Sequence, residues 1–249
     1  MMPKFEKPTA GNRHRLTVNQ HTFPTRSISR FAGSDGRVAL FVKVNGGARR
    51  AKPKDAIFCA KRVWDHSTET VFAKTIEDRF QVLAELIVSG SAPELGSEQL
   101  HAINLFQALW IARSELRESP KASVTMVGIL PGRSWSKDEE EGLEKNGYAF
   151  SRGAMIPAHV FNGIGVRALT MRAARRLRSA QWGIVESTDG EFIVPDWPST
   201  NCLPIAPKVM LASPASHQQI GREVVAQVNG QIRQLSRRYY FARDFNACP

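Results

Sequence analysis

The sequence predicts an α+β fold in which helices pack on a small, mostly antiparallel sheet. Three observations carry this. Several windows repeat apolar residues every three or four positions, as a helix with one buried side requires. Short β-branched and aromatic runs, bounded by Gly, Asn, Asp or Ser, lie between them as strands do. The order is strand, helices, strands, helix, without the alternating βαβ units of a parallel sheet. Of 249 residues, 42% are hydrophobic and 23% charged, a balance that can bury a core without staples.

Residues 1–30 are rich in Arg, Lys, Thr and Pro and poor in periodic apolar positions. They read as a basic N-terminal arm ahead of a single domain over 31–249. Residues 37–44 read as a strand after the Ser34-Asp35-Gly36 turn. Residues 45–54 read as a flexible basic loop. Val71, Phe72, Ile76, Phe80, Leu83 and Ile87 place a helix over 68–89, capped by Ser67 or Thr68 and ended by the Ser89-Gly90-Ser91-Ala92-Pro93 run. A second helix spans about 97–117, with Ile103, Phe106, Leu109 and Trp110 on its apolar side.

Residues 123–130 read as a short strand, and Ser136 followed by Asp138 to Glu141 starts a helix over 136–146. A third long helix covers 164–180 with a basic side. A hairpin follows, from Trp182 to Glu186, through Ser187-Thr188-Asp189-Gly190, and back over Glu191 to Val194. Lys208 to Ala212 reads as a further strand, and Ile220, Val224, Val228, Ile232 and Leu235 mark a final helix over 217–238. No segment of about 20–50 residues repeats, which argues against a solenoid.

Charge is the most informative bulk property. The net value is +11, distributed as +11 over residues 1–63, −6 over 64–150 and +6 over 151–249. Such asymmetry predicts a polyanionic partner, nucleic acid first. The competing reading is self-association between the acidic middle and the basic ends. No apolar run approaches the ~18 residues of a membrane span. The N-terminal residues lack the apolar stretch of a secretory signal. Three distant cysteines (Cys59, Cys202, Cys248) without a C-x-x-C spacing argue against a zinc knuckle or disulfide framework. A reducing compartment, the cytoplasm, is the expected location.

Most catalytic motifs fail on context. Gly163-Ile164-Gly165-Val166-Arg167-Ala168 fits a G-x-G-x-x-A pattern, with Glu186 about 20 residues on, but no clean strand precedes it. It reads as a glycine turn leading into a helix. Arg15 with His21 and Arg152 with His159 match an R-x(4–6)-H spacing used by some ribonucleases, at the frequency chance supplies. Pro195-Asp196 resembles the opening of a metal-dependent nuclease core, but Ala206-Pro207-Lys208 lacks the second carboxylate, so no Mg²⁺ site is assembled locally. No metal ligand set is predicted, and Mg²⁺ dependence stays open.

One ordered set goes further. His21-Thr22-Phe23-Pro24 leads through Ile28 to Arg30-Phe31-Ala32, then Asp35-Gly36-Arg37 and a strand. Ala73 to Glu77, Trp110 to Arg113, Phe192 to Pro198, Leu203 to Lys208, and Asn229 follow in order. Together they resemble domain-of-unknown-function family 4238, a mainly bacterial family, over about residues 14–243. This chain departs from that pattern at Pro195, where Ser or Thr is favoured, and at Ser114-Glu115, where Thr-Pro is common. The family carries no assigned activity, so the resemblance implies a fold and a site position only.

The polar residues singled out are His21, Arg30, Glu77, Arg113, Asp196 and Asn229. In the catalytic reading, a nuclease acting on RNA or DNA, His21 is base or acid, Asp196 its orienter or a metal ligand, Arg113 the phosphate clamp, and Glu77 a further carboxylate. The architectural reading makes Glu77 and Arg113 a buried ion pair, Asp196 a turn cap and Asn229 a backbone clip. Nucleic-acid contacts are expected from Arg26, Arg30, Arg49, Arg50, Arg172, Arg175 and Arg176. Two alternatives stand beside the nuclease: a non-catalytic nucleic-acid-binding or protein-interaction module, and an enzyme acting on a phosphorylated small molecule.

Overall fold

The computed structural model describes residues 5–91, 94–130, 132–198 and 201–249. The first half holds β1 (Asn19–His21), α1 (Thr25–Ser29), β2 (Val38–Val42), β3 (Gly47–Ala51) and β4 (Cys59–Lys61). A π-helical turn (Thr68–Ala73) then runs into α2 (Lys74–Val88), followed by α3 (Ser97–Glu118), β5 (Val124–Thr125), α4 (Lys137–Lys145) and β6 (Met155–Ile156). The remainder holds α5 (Ala158–Arg176), β7 (Gly183–Ser187), β8 (Val194–Pro195), β9 (Cys202–Ala206), β10 (Val209–Ala212), β11 (Gln218–Ile220), α6 (Arg222–Leu235) and β12 (Tyr239–Ala242).

This is an α+β fold with two four-stranded sheets. One has the order β3-β2-β12-β8 and is antiparallel throughout. The other has the order β11-β7-β10-β9, in which only β11 and β7 run parallel. Two short antiparallel pairs, β1–β4 and β5–β6, complete the pattern. The main core lies where α2 and α3 meet β2 and β12. Phe80 stacks on Phe106 at 3.8 Å, and Phe23 lies 4.4 Å from Trp110. Phe58 meets Phe241 edge-on at 5.3 Å. Among the described residues no helix is long and apolar enough to cross a membrane.

The two long helices and the capping box of α4, in which Ser136 and Glu139 satisfy each other's backbone amides, follow the sequence pattern. Several expectations need correction. Described residues before 31 are not a free arm: Leu16, Phe23 and Ile28 are buried, and β1 pairs with β4. Their apolar positions are too widely spaced to show a period. The basic loop at 45–54 contains β3, which pairs with β2 in register Val38 to Ala51. The strand expected at 123–130 is only the two residues of β5.

The hairpin over 182–194 does not form. β7 pairs with β10 and β11, while the chain after Gly190 crosses to the other sheet as β8. Residues 191–194 are all buried, so they lack the polar side of a hairpin strand. Their backbone is held by Asn229, whose Oδ1 accepts from Ile193 N at 3.0 Å and whose Nδ2 donates to the Glu191 carbonyl at 2.8 Å. The final helical window, 217–238, splits into β11 and α6, because Gly221 precedes the helix; α6 ends at Leu235, ahead of β12 where Tyr239-Tyr240-Phe241 favour a strand. The end of α2 at Ser89-Gly90 agrees with expectation, while Ala92 and Pro93 lie outside the described residues.

The third helix starts at Ala158, six residues before its expected start and five before the first of the glycines expected to lead into it. Gly163 and Gly165 are therefore helical. Gly163 is where α5 meets Asp65: a Cβ there would fall 1.5 Å from Asp65 Oδ2. Asp65, and not Ser67 or Thr68, caps the start of the preceding helix. Its Oδ1 accepts from Thr68 N and from Ser67 Oγ, both at 2.8 Å, and its Oδ2 from Thr68 Oγ1 at 2.6 Å.

Candidate functional site

Arg113 projects from α3 into the core, is 1% exposed, and joins two carboxylates. Its guanidinium donates to Glu77 and, at 2.7 Å, to Glu69 Oε2. The same Glu69 oxygen accepts from Trp64 Nε1 at 2.8 Å. Burial works against the cation, but Glu69 and Glu77 outweigh it and hold its pKa above the ordinary arginine value. His21 ends β1, with Nε2 3.2 Å from the Pro53 carbonyl, 3.1 Å from Thr25 Oγ1 and 3.6 Å from Cys59 Sγ. Burial lowers its pKa, against the Pro53 carbonyl and the field of Glu69, which favours the neutral ring. The Cys59 thiol is pushed up by burial and is no thiolate.

Asp196 accepts backbone N–H bonds from Arg237 at 2.8 Å and Arg238 at 2.9 Å, which cap the turn into β12. Burial raises its pKa against those two bonds. Glu77 and Arg113 are thus in contact and His21 lies within their field. Asp196 makes its hydrogen bonds elsewhere. Each carries the partners of an architectural role.

The predicted nucleic-acid contacts divide. Arg26 pairs with Glu85, Arg49 with Asp55 and Arg50 with Asp35. Arg30 is held by Gln81 Oε1 and the Ile205 carbonyl, and burial lowers its pKa to about 10. Arg172, Arg175 and Arg176 are exposed on α5 and have no ion-pair partner among the described residues.

A cleft of about 530 Å³ opens between β4, the end of α3 and the first turn of α5. Lys61, Arg117, Lys121 and Arg238 line it, with Cys59 and His159 deeper. Arg117 sets its character. It is 8% exposed, and its guanidinium donates only to neutral groups: the Ile57 carbonyl at 2.5 Å, Tyr239 Oη at 3.3 Å and Thr22 Oγ1 at 3.4 Å. Its Nε has no hydrogen-bond partner. No carboxylate forms an ion pair with it among the described residues, unlike Arg62 of the same wall, which pairs with Glu144 at 2.5 Å. Buried charge is normally matched by opposite charge, because the lost hydration costs several kcal/mol. Arg117 shares the field of the buried Asp196 carboxylate without forming an ion pair with it, and no carboxylate among the described residues contacts it where it lines the cleft.

Glu6 borders the cleft. Its carboxylate accepts from Lys137 and, at 2.5 Å, from Arg152. Burial opposes its ionisation, but these two cations bring its pKa down from 4.5 to about 2. A group with a depressed folded-state pKa stabilises the fold above its unfolded value and loses that contribution as pH falls. The stability difference between wild type and Glu6→Gln should therefore be constant above about pH 5 and shrink between pH 4.5 and 2. Urea titrations over that range measure it; a difference independent of pH would contradict the assignment.

No protein-family model, curated protein or solved structure matches the chain. The family resemblance rests on its own residues, and the reading of the site rests on its geometry. Among the described residues no group of three or more His, Cys, Asp or Glu side chains is arranged to hold a metal. Sequence reasoning missed Arg117 and set His159 aside as part of a chance spacing. The available signal for Arg117 was its place four residues after Arg113, on the same side of an apolar helix.

Proposed function

We propose that the protein binds a phosphate-bearing ligand of nucleotide size in the Arg117 cleft. The observation that carries this is a buried guanidinium with only neutral hydrogen-bond partners and an unbonded Nε, on the wall of a cavity with four further cations, of which Arg62 is paired with Glu144. The volume lies within the ~300–1,000 Å³ of small-molecule sites. A guanidinium suits a phosphate because it donates two parallel bonds to its oxygens. Of the functions the sequence suggests, this favours an acceptor of phosphorylated small molecules.

Calorimetric titration with adenosine 5′-monophosphate tests it. Binding is expected, and it should weaken as salt rises. Arg117→Met removes a charged hydrogen-bond donor worth about 1.5–3 kcal/mol, so affinity should fall roughly ten- to a hundredfold. Lys121→Glu, an exposed change that leaves the core alone, should weaken binding about fivefold. Absence of heat at millimolar ligand, or full affinity in both variants, discards the reading.

Nucleic acid stays in view through one observation, the unpaired Arg172, Arg175 and Arg176. They share one face of α5, about 20 Å along the helix from the cleft at ~1.5 Å per residue. Three phosphate contacts make a modest surface. Nuclease action would further require His21, Arg113 and Asp196 to leave the partners they hold.

A further inference from the structure

Residues 5 and 6 do more than border the cleft. Glu6 also lines an adjoining hollow of about 440 Å³, together with Trp135, Lys137 and Arg152. The chain at this point is the partition between the two cavities, and Glu140 lines the second beside Lys137 and Arg152. Its carboxylate sits on Lys137 and Arg152 and faces His159 Nδ1 at 3.6 Å. That nitrogen makes no hydrogen bond, although His159 is only 2% exposed. His159 Nε2 lies 3.3 Å from Glu144, and Arg152 is also held by Glu140. The group placed among Lys137, Arg152 and His159 is thus an anion with unused donor capacity around it.

What holds the partition is polar and local. The Glu6 carbonyl accepts from Arg62 Nε at 3.1 Å, and Thr9 donates its N–H and hydroxyl to Glu141 at 2.7 and 2.8 Å. From residue 5 to residue 15 no side chain is buried; the first is Leu16. A segment with no fully buried side chain, and only Phe5 and Pro8 as partly buried apolar groups at residues 5–9, opens at lower cost than the core.

We propose that Glu6 occupies a second phosphate subsite of the Arg117 cleft, built from Lys137, Arg152 and His159, and that a ligand bearing two phosphate groups displaces residues 5–9 to reach it. This rests on the phosphate reading of the cleft. Displacement exchanges one negative charge for a phosphate carrying up to two, on the same cations, and merges the two cavities. A single phosphate at Arg117 leaves the segment in place.

The test compares adenosine 5′-monophosphate with the 5′-phosphorylated dinucleotide pApA, on wild type and Glu6→Gln. The variant loses the competing charge, so pApA should bind at least tenfold tighter, a gain at least threefold larger than the mononucleotide shows from losing a negative charge at the cleft edge. In the wild type, saturating pApA should speed cleavage after Glu6 by a glutamate-specific endoproteinase severalfold, and the mononucleotide should not. Mononucleotide binding with no selective gain for pApA in the variant, or unchanged cleavage at Glu6, overturns the second subsite alone. Failure of both ligands to bind either protein overturns the phosphate reading, and the subsite with it.

Discussion

Arg113→Met should destabilise the protein by about 3–5 kcal/mol, the cost of leaving buried charges without their partner. Arg113 neutralises Glu69 and Glu77 at once, and both carboxylates are largely covered, with side chains 15% and 20% exposed. Methionine fills most of the guanidinium stem's space, so the loss measures charge more than a cavity. At about 2–4 °C per kcal/mol for a chain of this size, the melting temperature should fall by roughly 6–20 °C. Adding Glu69→Gln and Glu77→Gln removes the stranded charges and should recover most of it. Melting curves of the single and triple variants decide. A loss under 1 kcal/mol, or no recovery in the triple variant, would show that the three groups are not an interdependent unit. Mononucleotide affinity should be little changed, because the triad does not line the cleft.

Gly163→Ala should cost about 2–4 kcal/mol, although alanine is the better helix former by about 1 kcal/mol. The new methyl group would lie 1.5 Å from Asp65 Oδ2, 2.7 Å from its Cγ and 2.9 Å from Thr68 Oγ1. Asp65 cannot swing aside freely, since Thr68 N, Thr68 Oγ1 and Ser67 Oγ all donate to it. The variant must give up that cap, worth about 0.5–2 kcal/mol, or push α5 away from its neighbours. Gly165→Ala is the control on the same helix: its added methyl would meet only Leu116 Cδ1, at 3.4 Å, and should cost far less. Equal stability of the two variants would refute the close-approach explanation.

The parts of the fold legible in the sequence are those with a long period and one buried side. α2 and α3 show it over many turns, and Ser136 with Glu139 announces α4 by local hydrogen bonding alone. Short elements buried all round leave no period. Residues 191–194 therefore pass for a hairpin arm, and the strand at Tyr239–Ala242 goes unread after the last helix. Their placement depends on distant groups such as Asn229, which a local window does not contain.

The site was legible to a similar degree. Glu77 and Arg113 do meet, as the ion-pair reading has it, and Asn229 does clip the backbone. The charge pattern was harder, because a cation looks the same whether its partner is internal or external. Arg13 reaches Asp138, Arg26 reaches Glu85 and Arg62 reaches Glu144, so much of the asymmetry is the chain matching itself. Arg152 and His159, discounted as a chance spacing, come together only through Glu6, which their own segment does not include.

β3 forms an outer edge of its sheet, with Arg49 and Arg50 at its centre, each neutralised by an aspartate of this chain. Such strands offer unpaired amides and carbonyls to any extended backbone that comes near. Bulky, hydrated guanidinium groups on consecutive residues stand on both faces of the strand and discourage that approach. Arg49 and Arg50, expected from the sequence to meet a foreign polyanion, thus stand where charged side chains protect a sheet edge from pairing with another strand.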